Sequence, residues 1–262
     1  MKFFQILINL FISFYNLLID IIYPKRCLKC GKLGSYICSN CYNTLPLNPT
    51  LTCYLCHRQN LDGTVCSTCH KKYHPPLKGI LISSDWQDET LQKIIKKMKY
   101  SLVRELSNPL GNLLADFLII HWEQISWLNN KNKKIYFLPI PLHKKRFIER
   151  GFNQSDLILQ ETITAIKKSD HWTKNFIYSN KILIRQKYTH PQAKIKNIEQ
   201  RKNNVKRVFA VEEQDNKNRP AEKNIFVLVD DIVTTGATME EAALALKVFH
   251  PQEIWGLALA RG

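Results

Sequence analysis

Outside residues 27–69 the chain has no cysteine, so disulfides cannot brace most of its length. Acidic residues are scarce: 22 Asp and Glu stand against 38 Lys and Arg, a formal net charge of +16. A surplus of that size fits a polyanionic partner such as nucleic acid, or the face of an acidic membrane. The competing reading is a Lys-rich surface arising from genomic base bias, since Asn is abundant too. An unbroken apolar run of about 20 residues, the length that crosses a bilayer, is also missing. The nearest approach is "MKFFQILINLFISFYNLLIDIIYPKR", which carries no charge between Lys2 and Asp20. There Gln5, Asn9, Ser13, Asn16 and Asp20 recur at three- and four-residue spacings and make a polar stripe along one side of a helix. No small-residue cleavage site follows, and Pro24 leads into the first cysteine pair, which argues against a secretory signal. Three readings of residues 1–23 stand open: a helix packing on the protein or a partner, an interfacial membrane attachment through residues 1–22, or a true span. With 262 residues, 45% of them apolar and 23% charged, the chain has ordinary globular composition and room for two domains.

The eight cysteines fall into four CxxC pairs, Cys27/Cys30, Cys38/Cys41, Cys53/Cys56 and Cys66/Cys69. Two-residue spacing lets both sulfurs of a knuckle reach one tetrahedral metal at about 2.3 Å. Redox CxxC motifs occur singly, and secreted disulfide scaffolds do not repeat one spacing four times. Two structural zinc sites with four cysteine ligands each are expected, in a reducing, cytoplasmic compartment. Neighbouring knuckles are separated by spacers of seven and nine residues, which favours pairing first with second and third with fourth over a crossed arrangement. Eight thiolates on two Zn²⁺ ions would lower the formal charge by four, to about +12. The histidines, including His57, His70, His74, His143 and His190, are then not needed as ligands.

Along the chain the expected organisation is a helix over 1–23, a double zinc ribbon over 24–75, and one further domain over 76–262, joined at "YHPPLKG". "GILISSDW" reads as a strand. "LQKIIKKMKY" reads as a helix with Leu91, Ile94, Ile95 and Met98 inward and Lys93, Lys96 and Lys97 outward. "PLGNLLADFLIIHWEQI" is a second helix, "IYFLPIPL" a strand, and "NQSDLILQETITAIKK" a helix capped near Asn153. A strand ending at Arg185, a basic mobile loop over 186–206, the strand "RVFAV", a strand over 225–230, a helix from about 238 to 249 and a final strand "IWGLALA" complete it. Strands alternating with helices imply an α/β fold with a mostly parallel sheet covered on both faces.

The chemistry concentrates in "NIFVLVDDIVTTGATMEEAA", residues 224–243. Ligands of open α/β sheets bind beyond the carboxyl ends of strands. A tight loop opening a helix offers backbone N–H groups and a positive dipole end to an anion. Gly236 permits close backbone approach, and Thr234, Thr235 and Thr238 add hydroxyl donors. Asp230 and Asp231 can accept hydrogen bonds from a vicinal diol or hold Mg²⁺. A ribose 5-phosphate carries both kinds of group.

"VLVDDIVTTGAT" resembles the ribose-5-phosphate signature of the type I phosphoribosyltransferases. That resemblance implies their fold, and binding of 5-phosphoribosyl 1-diphosphate with Mg²⁺. It places Asp230 and Asp231 on the ribose hydroxyls, and Thr234, Thr235, Gly236, Ala237 and Thr238 around the 5-phosphate. "PIPLHKKRFIERGFNQS" and "RQKYTHPQAKIKNIEQRKNNVKRVF", with the cysteine knuckles ahead of them, resemble the ComF-type competence proteins over nearly the whole chain. By that resemblance Pro139 to His143 form a diphosphate loop with Arg146 and Arg150 as cationic donors, and Arg185 and Arg201 belong to a closing loop. Arg150, Arg185 and Arg201 are the candidate catalytic groups.

Two functional classes follow. One is a transferase that cleaves the C1–diphosphate bond in favour of a nitrogen nucleophile, with catalysis largely electrostatic. The absence of a glutaminase domain or an N-terminal cysteine nucleophile argues against an amidotransferase, and no segment specifies a nucleobase. The other, which the ComF resemblance implies, is handling of incoming single-stranded DNA on the cytoplasmic side of the inner membrane during natural transformation, alongside DNA-uptake proteins such as a helicase. Nine Lys or Arg between Lys181 and Arg207 against one acid, Glu199, with Tyr188 available for stacking, fit this reading. Lys93, Lys96, Lys97 and Lys99 add a second basic strip.

Overall fold

A computed structural model describes residues 24–130, 132–169, 175–187, 207–212, 220 and 222–262. The expected helix over 1–23 and most of the basic loop, including Arg201, lie outside the described residues. The chain divides into two compact units between Leu45 and Pro46. The division falls between the two halves of the cysteine-rich segment, so the second cysteine group belongs to the same unit as the sheet.

In the smaller unit, Arg26 and Leu33 form an antiparallel bridge, and the Cys27 N–H donates to the Lys32 carbonyl at 2.8 Å. A short helix, α1 (Ser39–Tyr42), follows Cys38.

The larger unit begins with β1 (Leu51–Thr52) and β2 (Gln59–Asn60), an antiparallel pair, and α2 (Ser67–Tyr73). Next come β3 (Gly79–Asp85), α3 (Glu89–Tyr100), α4 (Ser107–Ile120), β4 (Ile135–Pro139), α5 (Lys144–Arg150) and α6 (Gln154–Lys167). Then follow β5 (Phe176–Tyr178), β6 (Leu183–Arg185), β7 (Phe209–Val211), β8 (Ile225–Val233), α7 (Ala237–Leu246) and β9 (Glu253–Arg261). Five strands form one sheet in the order β3-β9-β8-β4-β5, and every pairing in it is parallel. The fold is α/β, as expected. The segment read as one strand ending at Arg185 is in fact two: β5 is a sheet edge, and β6 turns away to pair antiparallel with β7.

Alternation along the central strands creates two apolar layers. Tyr136, Leu138, Phe226, Leu228 and Ala258 pack with α7, β6 and β7. Ile135, Phe137, Ile225, Val227, Val229 and Trp255 are the buried alternates, and on their side Trp127 meets Phe137 at 5.7 Å and Trp255 at 6.4 Å between ring centroids. α3 buries Leu91, Ile94, Ile95 and Met98 as its spacing requires, and the Asp88 carboxylate caps it by accepting from the Leu91 N–H at 2.7 Å. α6 is capped by Asn153, whose side chain accepts from the Ser155 N–H at 3.1 Å. That cap also donates to the Ile140 carbonyl at 3.0 Å, which ties the loop after β4 to the start of α6. Among the described residues no helix is long and apolar enough to cross a membrane.

Candidate functional site

Two four-cysteine groups assemble, Cys27/Cys30/Cys38/Cys41 and Cys53/Cys56/Cys66/Cys69, with the sulfurs of each within 4.8 Å of one another. The neighbouring-knuckle pairing is therefore the one formed. Cys30 and Cys38 sulfurs lie 3.7 Å apart, as do those of Cys56 and Cys66. Four sulfurs about 2.3 Å from a tetrahedral Zn²⁺ would be separated by roughly 3.8 Å, so both groups fit that ion. The local electrostatics point the same way. Burial pushes the Cys27 thiol up, but the backbone N–H groups of Cys30, Cys38 and Lys29 pull it further down, to about 6. Cys53 is held at about 7 by the same opposition, with Cys66, Cys56 and Leu55 supplying the N–H groups. Burial and the neighbouring thiols push Cys41 and Cys69 up to about 12. Each group thus favours ionising some sulfurs but not all, a conflict that a divalent cation removes.

The second cysteine group sits against the sheet. Thr64 bridges Gly79, and the Val65 N–H donates to the Lys78 carbonyl at 2.8 Å. A Cβ on Gly79 would lie 2.2 Å from the Gly63 carbonyl oxygen, so only glycine allows this approach.

At the other end of β3, β8 and β9 lies the strand-end site. β8 runs past the expected limit at residue 230 to Val233, so Asp230 and Asp231 are still strand residues, and Asp230 stands opposite Ala258 of β9. Asp230 Oδ1 accepts from the Ser155 hydroxyl at 2.7 Å and from the Asp231 N–H at 2.9 Å. Asp231 is buried, and its Oδ2 lies 2.7 Å from Lys99 Nζ. The contact is an ion pair without hydrogen-bond geometry. Burial and then the Asp231 charge push the Asp230 carboxyl up to about 7, against the opposing pull of Ser155 and Lys99. Desolvation beside a like charge is the reason.

The Gly236 backbone takes φ 84° immediately before α7. A Cβ there would come within 3.0 Å of Ile80 and 3.2 Å of Tyr54. The Thr235 hydroxyl oxygen accepts from the Ala237 N–H at 3.3 Å, and Thr234 and Thr238 flank the turn. Tyr54, from the second cysteine knuckle, donates to Glu240 Oε1 at 2.7 Å in the first turn of α7.

Of the described cationic candidates, Arg185 interacts electrostatically with Asp230. Its guanidinium lies over Phe209, 5.3 Å from the ring centroid. Burial and the nearby Arg146 charge lower its pKa to about 10, and Asp230 pulls in the opposite direction. Arg185 thus feels both the Arg146 charge and the opposing Asp230 charge. Arg150 instead donates to Gln154 Oε1 at 2.8 Å. Sequence reasoning passed over two participants. Ser155 stood inside the quoted "GFNQS" segment. Lys99 had been grouped with the solvated lysines of α3, although it lies four residues from Ile95 and so at the margin of the inward stripe.

No protein-family model matches this chain. "DNA utilization protein YhgH" of Escherichia coli K12 is 28% identical over 231 residues, covering 85% of this chain and 91% of that protein. "Competence protein F" of Haemophilus influenzae is 25% identical, covering 86% and 98%. "Competence protein ComFC" of Bacillus subtilis is 24% identical, covering 84% and 82%. The chain is a homologue of the ComF-type proteins. The similarity to the ComF-type relatives takes in most of both chains, so it is not confined to one motif.

Proposed function

We propose that this ComF-type homologue acts in natural transformation, handling single-stranded DNA on the cytoplasmic side of the inner membrane, and that its strand-end site takes 5-phosphoribosyl 1-diphosphate with Mg²⁺. The observation that carries the reading is the pairing of Asp230 and Asp231 at the end of β8 with the Gly236 turn that opens α7. In the proposed complex the carboxylates accept from the ribose hydroxyls. The turn and the Thr235 hydroxyl hold the 5-phosphate, and Arg146 and Arg185 face the diphosphate. Bound Mg²⁺ would neutralise diphosphate charge. Lys99 and Ser155 hold the two carboxylates apart from each other. Zinc in both four-cysteine groups is structural in this reading, with 24–75 as a double ribbon and 76–262 as the phosphoribosyltransferase-like domain.

The names of the relatives, together with the basic surplus, support the DNA role. Calorimetry with 5-phosphoribosyl 1-diphosphate and Mg²⁺, beside fluorescence anisotropy with a labelled oligonucleotide, tests both halves. Saturable binding of each is expected, and absence of either removes that half.

One observation favours transfer chemistry as a second reading. The half-buried Arg185, on which the Arg146 charge acts, supplies cationic charge where a leaving diphosphate would form. Diphosphate released on adding DNA or candidate amines would establish it.

A further inference from the structure

Four of the large apolar side chains exposed on this molecule belong to two segments that border the strand-end site. Tyr100, the last residue of α3, is 75% exposed and Leu102, just after it, 46%; Phe147 is 50% exposed and Ile148 81%, both on α5. Single exposed apolar residues are ordinary. These are placed differently. Tyr100 directly follows Lys99, whose ammonium meets Asp231. Phe147 directly follows Arg146, whose charge acts on Arg185. Leu102 takes φ 58°, a left-handed turn that few non-glycine residues adopt. The two segments are also fastened together: Arg104 Nη2 donates to the Gly151 carbonyl at 2.5 Å, and its guanidinium lies 5.2 Å from the Phe152 ring centroid. Basic residues neighbour them along the chain. Residues 97–105 hold Lys97, Lys99 and Arg104 against Glu105, and residues 143–150 hold Lys144, Lys145, Arg146 and Arg150 against Glu149.

Aromatic faces set among cations are what an unpaired nucleic-acid strand needs, since every base has a face to stack and every linkage a phosphate to neutralise. We propose that Tyr100 and Phe147 form a stacking rim for single-stranded DNA, with Lys144 and Lys145 on the phosphates, beside the phosphoribosyl site. A duplex, with its bases already stacked, gains nothing from the aromatics. This inference rests on the DNA-handling reading above and assigns that reading a surface within the described residues.

The test uses the full chain, a fluorescent oligothymidylate of about 15 nucleotides, and the same length of duplex. Tyr100→Ala combined with Phe147→Ala is expected to weaken single-strand binding at least tenfold, while duplex binding and calorimetric affinity for 5-phosphoribosyl 1-diphosphate stay within twofold. Tyr100→Phe with Phe147→Tyr retains two stacking faces and is expected to bind like wild type. Lys144→Gln with Lys145→Gln is expected to reduce the slope of log K against log salt by roughly 1.4, about 0.7 for each lost phosphate contact. Wild-type protein that fails to bind the oligonucleotide overturns both the DNA-handling reading and the rim. Wild-type binding that the double alanine change leaves intact overturns the rim alone. If that change instead turns a dimer into a monomer in ultracentrifugation while DNA affinity persists, the surface is a self-association face and the proposal fails.

Discussion

Asp230 and Asp231 differ more than their adjacency suggests. Asp231 is buried and paired with Lys99, whereas Asp230 is half-buried and leans on the Ser155 hydroxyl and the Asp231 N–H. Replacing both with Asn keeps their shape and removes the Asp231 charge together with whatever charge Asp230 carries. Calorimetric affinity for 5-phosphoribosyl 1-diphosphate with Mg²⁺ should fall by about tenfold to a thousandfold, since a hydrogen bond to a charged group contributes roughly 1.5–3 kcal/mol. Thr235→Val should cost less, because the backbone donors of the turn remain. Unchanged affinity in the double-Asn protein would end the phosphoribosyl reading. A second expectation concerns pH. The Asp230 carboxyl is pushed up to about 7 in the fold, against about 3.9 unfolded. The stability from its neutral form is therefore complete below about pH 4 and is lost as the pH rises through about 7. Asp230→Asn holds that position neutral at every pH. Its melting temperature relative to wild type should therefore rise between pH 5 and pH 8, and a constant difference across that range would refute the assigned ionisation.

At the scale of elements, the second cysteine knuckle, the Gly236 turn and the end of β9 form one construction. Tyr54 is buried in the core layer of α7 and bonds Glu240; burial and the Glu240 carboxylate keep its phenol protonated. Arg261, at the end of β9, lies 3.0 Å from His57 Nε2, on the knuckle. Losing the metal from the second group should loosen the Gly236 turn, whereas the first group belongs to the other compact unit. Cys27→Ser and Cys53→Ser should each lower zinc content from two ions to one. Only Cys53→Ser should also lower the melting temperature of the sheet and weaken 5-phosphoribosyl 1-diphosphate binding. Equal effects of the two changes on sheet melting would contradict this division. The sequence alone showed the knuckles, the acid pair and the Thr-Gly turn, because each is set by local spacing along one element. It did not show Lys99 beside Asp231, Tyr54 beneath Gly236 or Arg104 on Gly151. Those pairings join residues from separate elements, and the sheet order β3-β9-β8-β4-β5 brings them together only after folding. The split of the segment ending at Arg185 into β5 and β6 was hidden for the same reason, since β6 pairs with β7 and β5 with β4; the strand "RVFAV" was legible and is β7.

For the whole molecule, the dominant physical property is its charge, +16 by formal count and about +12 with both zinc sites filled. Net charge alone attracts any polyanion, so the useful question is how many phosphates are neutralised in a defined complex. That number is read from salt, because each neutralised phosphate releases condensed counterions, and single strands give a slope of about −0.7 per contact. Lys194, Lys196, Arg201 and Lys202 lie outside the described residues, in the segment where nine Lys or Arg stand against Glu199. Changing these four to Gln removes up to four contacts, so the slope of log K against log salt should flatten by as much as roughly 2.8. The affinity loss should be similar for oligonucleotides of different sequence, since phosphates carry no sequence information. The stacking rim gives the opposite pattern: removing Tyr100 and Phe147 lowers affinity at every salt concentration and leaves the slope nearly unchanged. A quadruple variant with wild-type slope would show that the basic segment does not touch DNA and that its charge is incidental. The strand would then have to be held by the rim and the site beside it.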